Sequence, residues 1–241
     1  MPLNETIAQA KRDKWRRFIS RIEPQVFRMM DFRRWNRAYE RIVNANPRLL
    51  PGNPVLDYFR SIYADYAALA VRRQAKPHRD SISLLGLIDD LAIFAEAMTL
   101  GSVIDLYLQP LPSGHKYPTD VARFLAESTF KQFAIKSGNT LDPAIPTTDA
   151  AALRAATKNI VTIVDGTIAH DDKTIPQVES SFNELDEAIV LIASLTRKYT
   201  LLLTGAAFIG MTPIDQTNAI DVFSFPWIDG SHPLDLNVDD L

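Results

Sequence analysis

The chain has 241 residues, 46% hydrophobic and 23% charged, which is enough apolar material for a sizeable core and too much for a disordered chain. It has no cysteine, so disulfides, thiol catalysis and cysteine-ligated zinc are excluded, as a reducing compartment would allow. The formal net charge of −3 sets it apart from strongly basic nucleic-acid-binding domains, although the charge is spread unevenly.

Met1 is followed by Pro2, Leu3, Asn4 and then charged sequence with no apolar h-region, so no signal peptide is expected. Residues 1–48 carry twelve Lys and Arg against five Asp and Glu. Within them Trp15, Phe18, Ile19 and Ile22 recur at helical spacing before Pro24, and Phe27, Met30, Tyr39, Ile42 and Val43 after it. They predict two helices, or one helix broken at Pro24. The basic face would meet phosphate, an acidic partner, the chain's own acidic tail, or only solvent. Pro47 to Gly52 reads as a loop.

Asn53-Pro54 opens the next helix, with a capping side chain and then proline at the first helical position. Leu56, Phe59, Ile62, Tyr63, Tyr66, Leu69 and Ala70 form its expected apolar stripe, and Arg72-Arg73 suit its C-terminus. After a break at 76–79, Asp80 or Ser81 is expected to cap a helix carrying Leu84, Leu87, Ile88, Leu91, Phe94 and Met98 inward. Residues 99–117 look least regular. Pro118 opens a helix with Val121, Phe124, Leu125 and Phe133, and 138–146 read as a loop. Thr147 or Thr148 starts a helix through Leu153, Ile160, Ile163 and Val164. The run Ile160 to Val164 has β propensity, but the segment is too long for a typical strand.

The clearest helix follows: Ser181 and Glu184 have capping-box spacing, and Phe182, Leu185, Ile189, Ile192, Leu195, Tyr199 and Leu202 mark a buried face. The apolar run Tyr199 to Met211 is too short to span a bilayer, so no membrane association is expected. Residues 210–241 hold six Asp and no Lys or Arg, with Phe223, Phe225 and Trp227 available to pack the tail back. The fold class is therefore all-α, an irregular multi-helix bundle. Its expected parts are basic N-terminal helices over 1–52, a bundle over 53–212 and an acidic tail over 213–241.

No Gly-rich phosphate loop, HExxH or GxSxG occurs. The histidines, His78, His115, His170 and His232, never share a helix face, so no metal site is expected. Asp89-Asp90 and Asp171-Asp172 are neighbours that point apart on a helix and read as solvated charges. Two places carry chemistry. Arg72-Arg73 with His78-Arg79-Asp80 surround a helix break and suit an anion, or simple end-capping. Asp165-Gly-Thr-Ile-Ala-His170 ends a helix in an imidazole, a side chain that can act as acid or base near neutral pH, or simply cap the helix.

Together with the last helix, these stretches resemble the HEPN superfamily, in its abortive-infection AbiU-like branch. Arg72-Arg73 followed by Asp80-Ser-Ile-Ser-Leu-Leu85 is similar to that branch's helix junction, and Ile168-Ala-His170-Asp-Asp-Lys173 to its "IAH" signature. Ser181 to Ile189, Lys198-Tyr199 and Phe225-Pro-Trp227 are similar to its final helix and tail, so the resemblance spans roughly 55–228. It implies a HEPN-like core with extra N-terminal helices, a homodimer in the cytoplasm, and no cofactor or metal. Active members are metal-independent endoribonucleases with an arginine, four to six residues, then a histidine. An imidazole moves the ribose 2′-OH proton, and a guanidinium stabilises the phosphate in the transition state.

Under the resemblance His170 and Asp165 occupy the catalytic histidine and polar positions, but the arginine slot holds Val164. Catalysis would then need Arg73, Arg79 or a partner's arginine. Arg72, Arg73, His78, Arg79, Lys158 and Lys173 are the residues expected to meet RNA. The expected function is that of a catalytically weakened member of a phage-defence or toxin–antitoxin system, acting by binding RNA or a partner such as a cognate antitoxin or inhibitor protein. The alternatives are an active metal-independent endoribonuclease toxin and a helical protein-interaction module.

Overall fold

The computed structural model describes residues 3–45, 54–78, 80–110, 114, 116–134, 138–168 and 180–206, with the backbone alone at 55, 167 and 168. The expected loop at 47–52 and the tail at 213–241 lie outside these residues, as do His115, His232, Asp171 and Asp172. Among the described residues seven α-helices run in chain order: α1 (Glu5–Ala45), α2 (Pro54–Ala75), α3 (Leu84–Ile93), α4 (Leu100–Tyr107), α5 (Thr119–Phe130), α6 (Ala144–Ile163) and α7 (Phe182–Thr204). A 3-10 turn at Ala95–Ala97 links α3 to α4, and a π-helical turn at Val164–Ile168 ends α6. Among the described residues the only β feature is a lone bridge between Thr99 and Thr140, so the protein is all-α. No described helix is long and apolar enough to cross a membrane.

α1 is continuous through Pro24. Pro24 has no amide hydrogen to give the Ser20 carbonyl, a loss of about 3 kcal/mol in a helix interior. Its ring is exposed, while Ile19, Ile22, Val26 and Met29 on the opposite side are sealed. Each such burial contributes about 1.5–3 kcal/mol, which offsets the missing bond. The buried positions Ala8, Arg12, Trp15, Ile19, Ile22, Val26 and Met29 alternate steps of four and three, a seam that fits a long helical neighbour. That neighbour is chiefly α7.

α7 is the hub, touching α1, α2, α4, α5 and α6. Ser181 caps it through a reciprocal box with Glu184: the Ser181 hydroxyl accepts from the Glu184 amide at 3.2 Å, and Glu184 accepts from the Ser181 amide at 2.9 Å. Leu185, Ile189, Ile192, Leu195, Tyr199 and Leu202 are buried as the periodicity predicts; Phe182 is 49% exposed. The helix stops at Gly205, whose φ of +67° favours glycine, and the Tyr107 ring stands 3.5 Å from where a Cβ would sit.

Several expected details change. On α2 the inward residues are Leu56, Tyr63, Ala67, Ala68, Val71 and Ala75, while Phe59, Ile62 and Leu69 are exposed. Small side chains let α6 and α7 approach closely, so the larger ones are turned outward. The cap of α3 is Ser83, accepting from the Gly86 amide at 3.1 Å, and not Asp80 or Ser81. The region expected to be irregular contains α4, fixed by a capping box between Thr99 and Ser102. α5 buries Ala122 and Ala126 and leaves Phe124 69% exposed. α6 begins at Ala144, with Pro146 in its first turn, and remains helical through Ile160.

Asp89 and Asp90 point apart but are not merely solvated. Asp90 accepts hydrogen bonds from Lys11 (2.9 Å), Lys14 (3.0 Å) and the Trp15 indole (2.8 Å), and Asp89 pairs with Arg154 at 2.6 Å. These contacts tie α3 to α1 and to α6.

Candidate functional site

The two stretches singled out in the sequence meet at the ends of α2 and α6. Arg72 lies in the last turn of α2, and Lys76 directly follows the helix with its amide still donating to the Arg72 carbonyl at 2.9 Å, so the two lie one turn apart on one face. The Arg72 Nε donates to one oxygen of Asp165 at 2.5 Å, and Lys76 Nζ donates to the other at 2.5 Å. Partial burial pushes the Asp165 carboxyl up, but the hydrogen bonds from Lys76 and Arg72 outweigh it and hold the group below its ordinary range. Two cations face one anion, so the junction keeps one positive charge in excess. The last described residue before His170 is Ile168, two positions short of it.

The π turn sets this geometry. It starts at Val164, directly after the α6 stripe of Leu153 and Ile160, and it turns Asp165 toward α2 while Val164 stays in the core. Val164 is 0% exposed. The position that corresponds to the arginine slot therefore faces the packed interior.

The other expected residues scatter. Arg73, one step along α2, is exposed and turns to a cleft against α1, away from Asp165. His78 is exposed, with its Nδ1 accepting from the Asp80 amide at 3.3 Å. Lys158 is exposed on α6, and its carbonyl accepts from the Thr162 hydroxyl at 3.0 Å. His170, Arg79 and Lys173 lie outside the described residues. Sequence reasoning missed Lys76, which it read only as part of the helix break. The signal was available in its four-residue spacing from Arg72, one helical turn on.

Much of the basic charge of α1 is spent inside the molecule. Lys11 and Lys14 reach Asp90, while Arg33 and Arg37 both reach Asp186 on α7, the latter at 2.6 Å. Arg12, buried, donates to the Ala97 carbonyl at 2.8 Å and to Glu5 and Gln9. Burial pushes the Asp90 and Asp186 carboxyls up, and their basic partners more than reverse it. Arg28 is different: it is exposed and forms neither a hydrogen bond nor an ion pair with a described residue. With Arg73, Gln25 and Tyr66 it lines a cleft of about 290 Å³ between α1 and α2.

Compared with family models, with curated proteins and with solved structures, the chain matches none.

Proposed function

We propose that this protein is a catalytically weakened, HEPN-like RNA-binding protein, working as a cytoplasmic homodimer in a phage-defence or toxin–antitoxin system with a cognate inhibitor as partner. The observation that carries the reading is the junction of Arg72 and Lys76 with Asp165. It supports cationic charge supplied from the end of α2, beside the π turn that precedes His170 in the chain, rather than from the π-turn position that holds Val164. The same junction supports weakening. Arg72 already has an anionic partner, so a phosphate must compete with Asp165 for it. Val164, sealed in the core, can neither donate a hydrogen bond nor carry charge to a transition state.

Two measurements on the purified dimer test this. Affinity for single-stranded RNA is expected to fall steeply as salt rises, because phosphate contacts release counterions. Cleavage with EDTA present is expected to be no greater than that of His170→Ala. Cyclic-phosphate products that vanish in His170→Ala would establish the active endoribonuclease instead. Absence of RNA affinity even at low salt would leave the protein-interaction module.

A further inference from the structure

The cleft between α1 and α2 collects groups that the rest of the molecule leaves unused. Arg28 and Arg73 enter it from opposite helices, and neither forms a hydrogen bond or ion pair with a described residue. Gln74 is 2% exposed and spends both ends of its amide: Nε2 donates to Gln25 Oε1 at 2.9 Å, and Oε1 accepts from the Leu84 amide at 3.2 Å. This fixes the Gln25 side chain with its oxygen toward Gln74 and leaves its Nε2 without a partner among the described residues. The side-chain groups available in the cleft are thus two guanidiniums, the Gln25 amide N–H donor and the Tyr66 hydroxyl, and no acidic side chain among the described residues lines it. Tyr66 on the lining is stacked on Phe32, with ring centroids 4.1 Å apart and planes 27° from parallel. Phe32 is 39% exposed and presents an aromatic surface beside the cleft.

Cationic donors with no carboxylate beside them suit an anion rich in acceptor oxygens, and the forked guanidinium matches phosphate. An exposed aromatic ring next to such a cleft suits an unpaired base. We propose that this cleft binds single-stranded RNA, with Arg28 and Arg73 clamping a phosphate, Gln25 donating to it, and a neighbouring base stacked on Phe32. The inference rests on the RNA-binding reading above and adds where the strand lies. A duplex fits less well, because its bases are already stacked on one another and cannot reach Phe32. An acidic peptide would use the arginines and leave the ring idle.

The test is fluorescence anisotropy of the full chain with a short labelled RNA across a salt series. Arg28→Glu and Arg73→Glu are each expected to weaken binding about tenfold and to flatten the salt slope by about one phosphate. Phe32→Leu is expected to weaken it about fivefold while leaving the slope unchanged. Both arginines are exposed and make no hydrogen bond or ion pair with a described residue, so circular dichroism melting should confirm that the reversed variants remain folded. Reversal at Arg123, exposed on α5, should cost much less. Full affinity in the Arg28→Glu, Arg73→Glu double variant would overturn the cleft while leaving the RNA reading intact. Equal losses at Arg123, or equal competition by duplex RNA or polyglutamate, would also overturn it. No binding by the parent protein at low salt would remove the RNA reading and the cleft together.

Discussion

Arg72 donates to Asp165 at 2.5 Å across 93 positions of chain, and Lys76 takes the other carboxylate oxygen. The contact locks the last turn of α2 to the π turn after α6.

Asp165→Asn should lower the melting temperature at neutral pH and raise RNA affinity about two- to tenfold by releasing two cations. The acid side follows from linkage. The folded carboxyl titrates below its unfolded value of about 3.9, so its contribution is complete above that pH and disappears as pH falls through the folded value. The gap in melting temperature between parent and variant should narrow below about pH 4. A gap that stayed constant into strong acid would contradict the ion pair.

Val164→Arg restores the arginine of the family motif on paper. The side chain would enter a site with 0% exposure, so the variant should lose more than about 4 kcal/mol and gain no cleavage. Urea denaturation and an RNA cleavage assay read both outcomes. A stable, cleaving variant would show that the position can reach the surface.

Asp90→Ala removes the shared acceptor of Lys11, Lys14 and the sealed Trp15 indole. An orphaned buried donor costs about 1–3 kcal/mol, to be read as a shift of the urea midpoint at unchanged slope. Indole fluorescence should respond in the same variant.

Ser181→Ala opens the box that starts α7 and should cost about 1 kcal/mol. The loss should shrink when Glu184→Ala is already present, because the two side chains satisfy each other's amides. Additive losses in a double-mutant cycle would mean that the box contributes nothing as a unit.

The readability of the chain depended on distance. α7 was legible because its stripe, from Leu185 to Leu202, and its Ser181–Glu184 box are both local signals. α2 was legible as a helix but not as to which side faces in, because Ala67, Ala68 and Val71 take the core while Phe59 and Ile62 do not. α4 was hidden by the prolines that follow it, although Thr99 and Ser102 carried the start signal. Asp165 stood out beforehand, yet nothing local pairs it with Arg72 and Lys76, or sets Arg28 opposite Arg73. Those meetings depend on how α2 packs against α6 and α1.

The seam of α1 carries a cost in time. Trp15, Ile19 and Ile22 leave the ribosome early, but much of their cover belongs to α7, and Arg16 waits for the carbonyl of Leu203, 187 positions later. Until α7 emerges, this greasy ridge has little to dock on, and such long-range closure is slow and prone to clumping. Shielding of the nascent ridge by a chaperone, and poor yield when synthesis outruns it, are the consequences for anyone producing the protein.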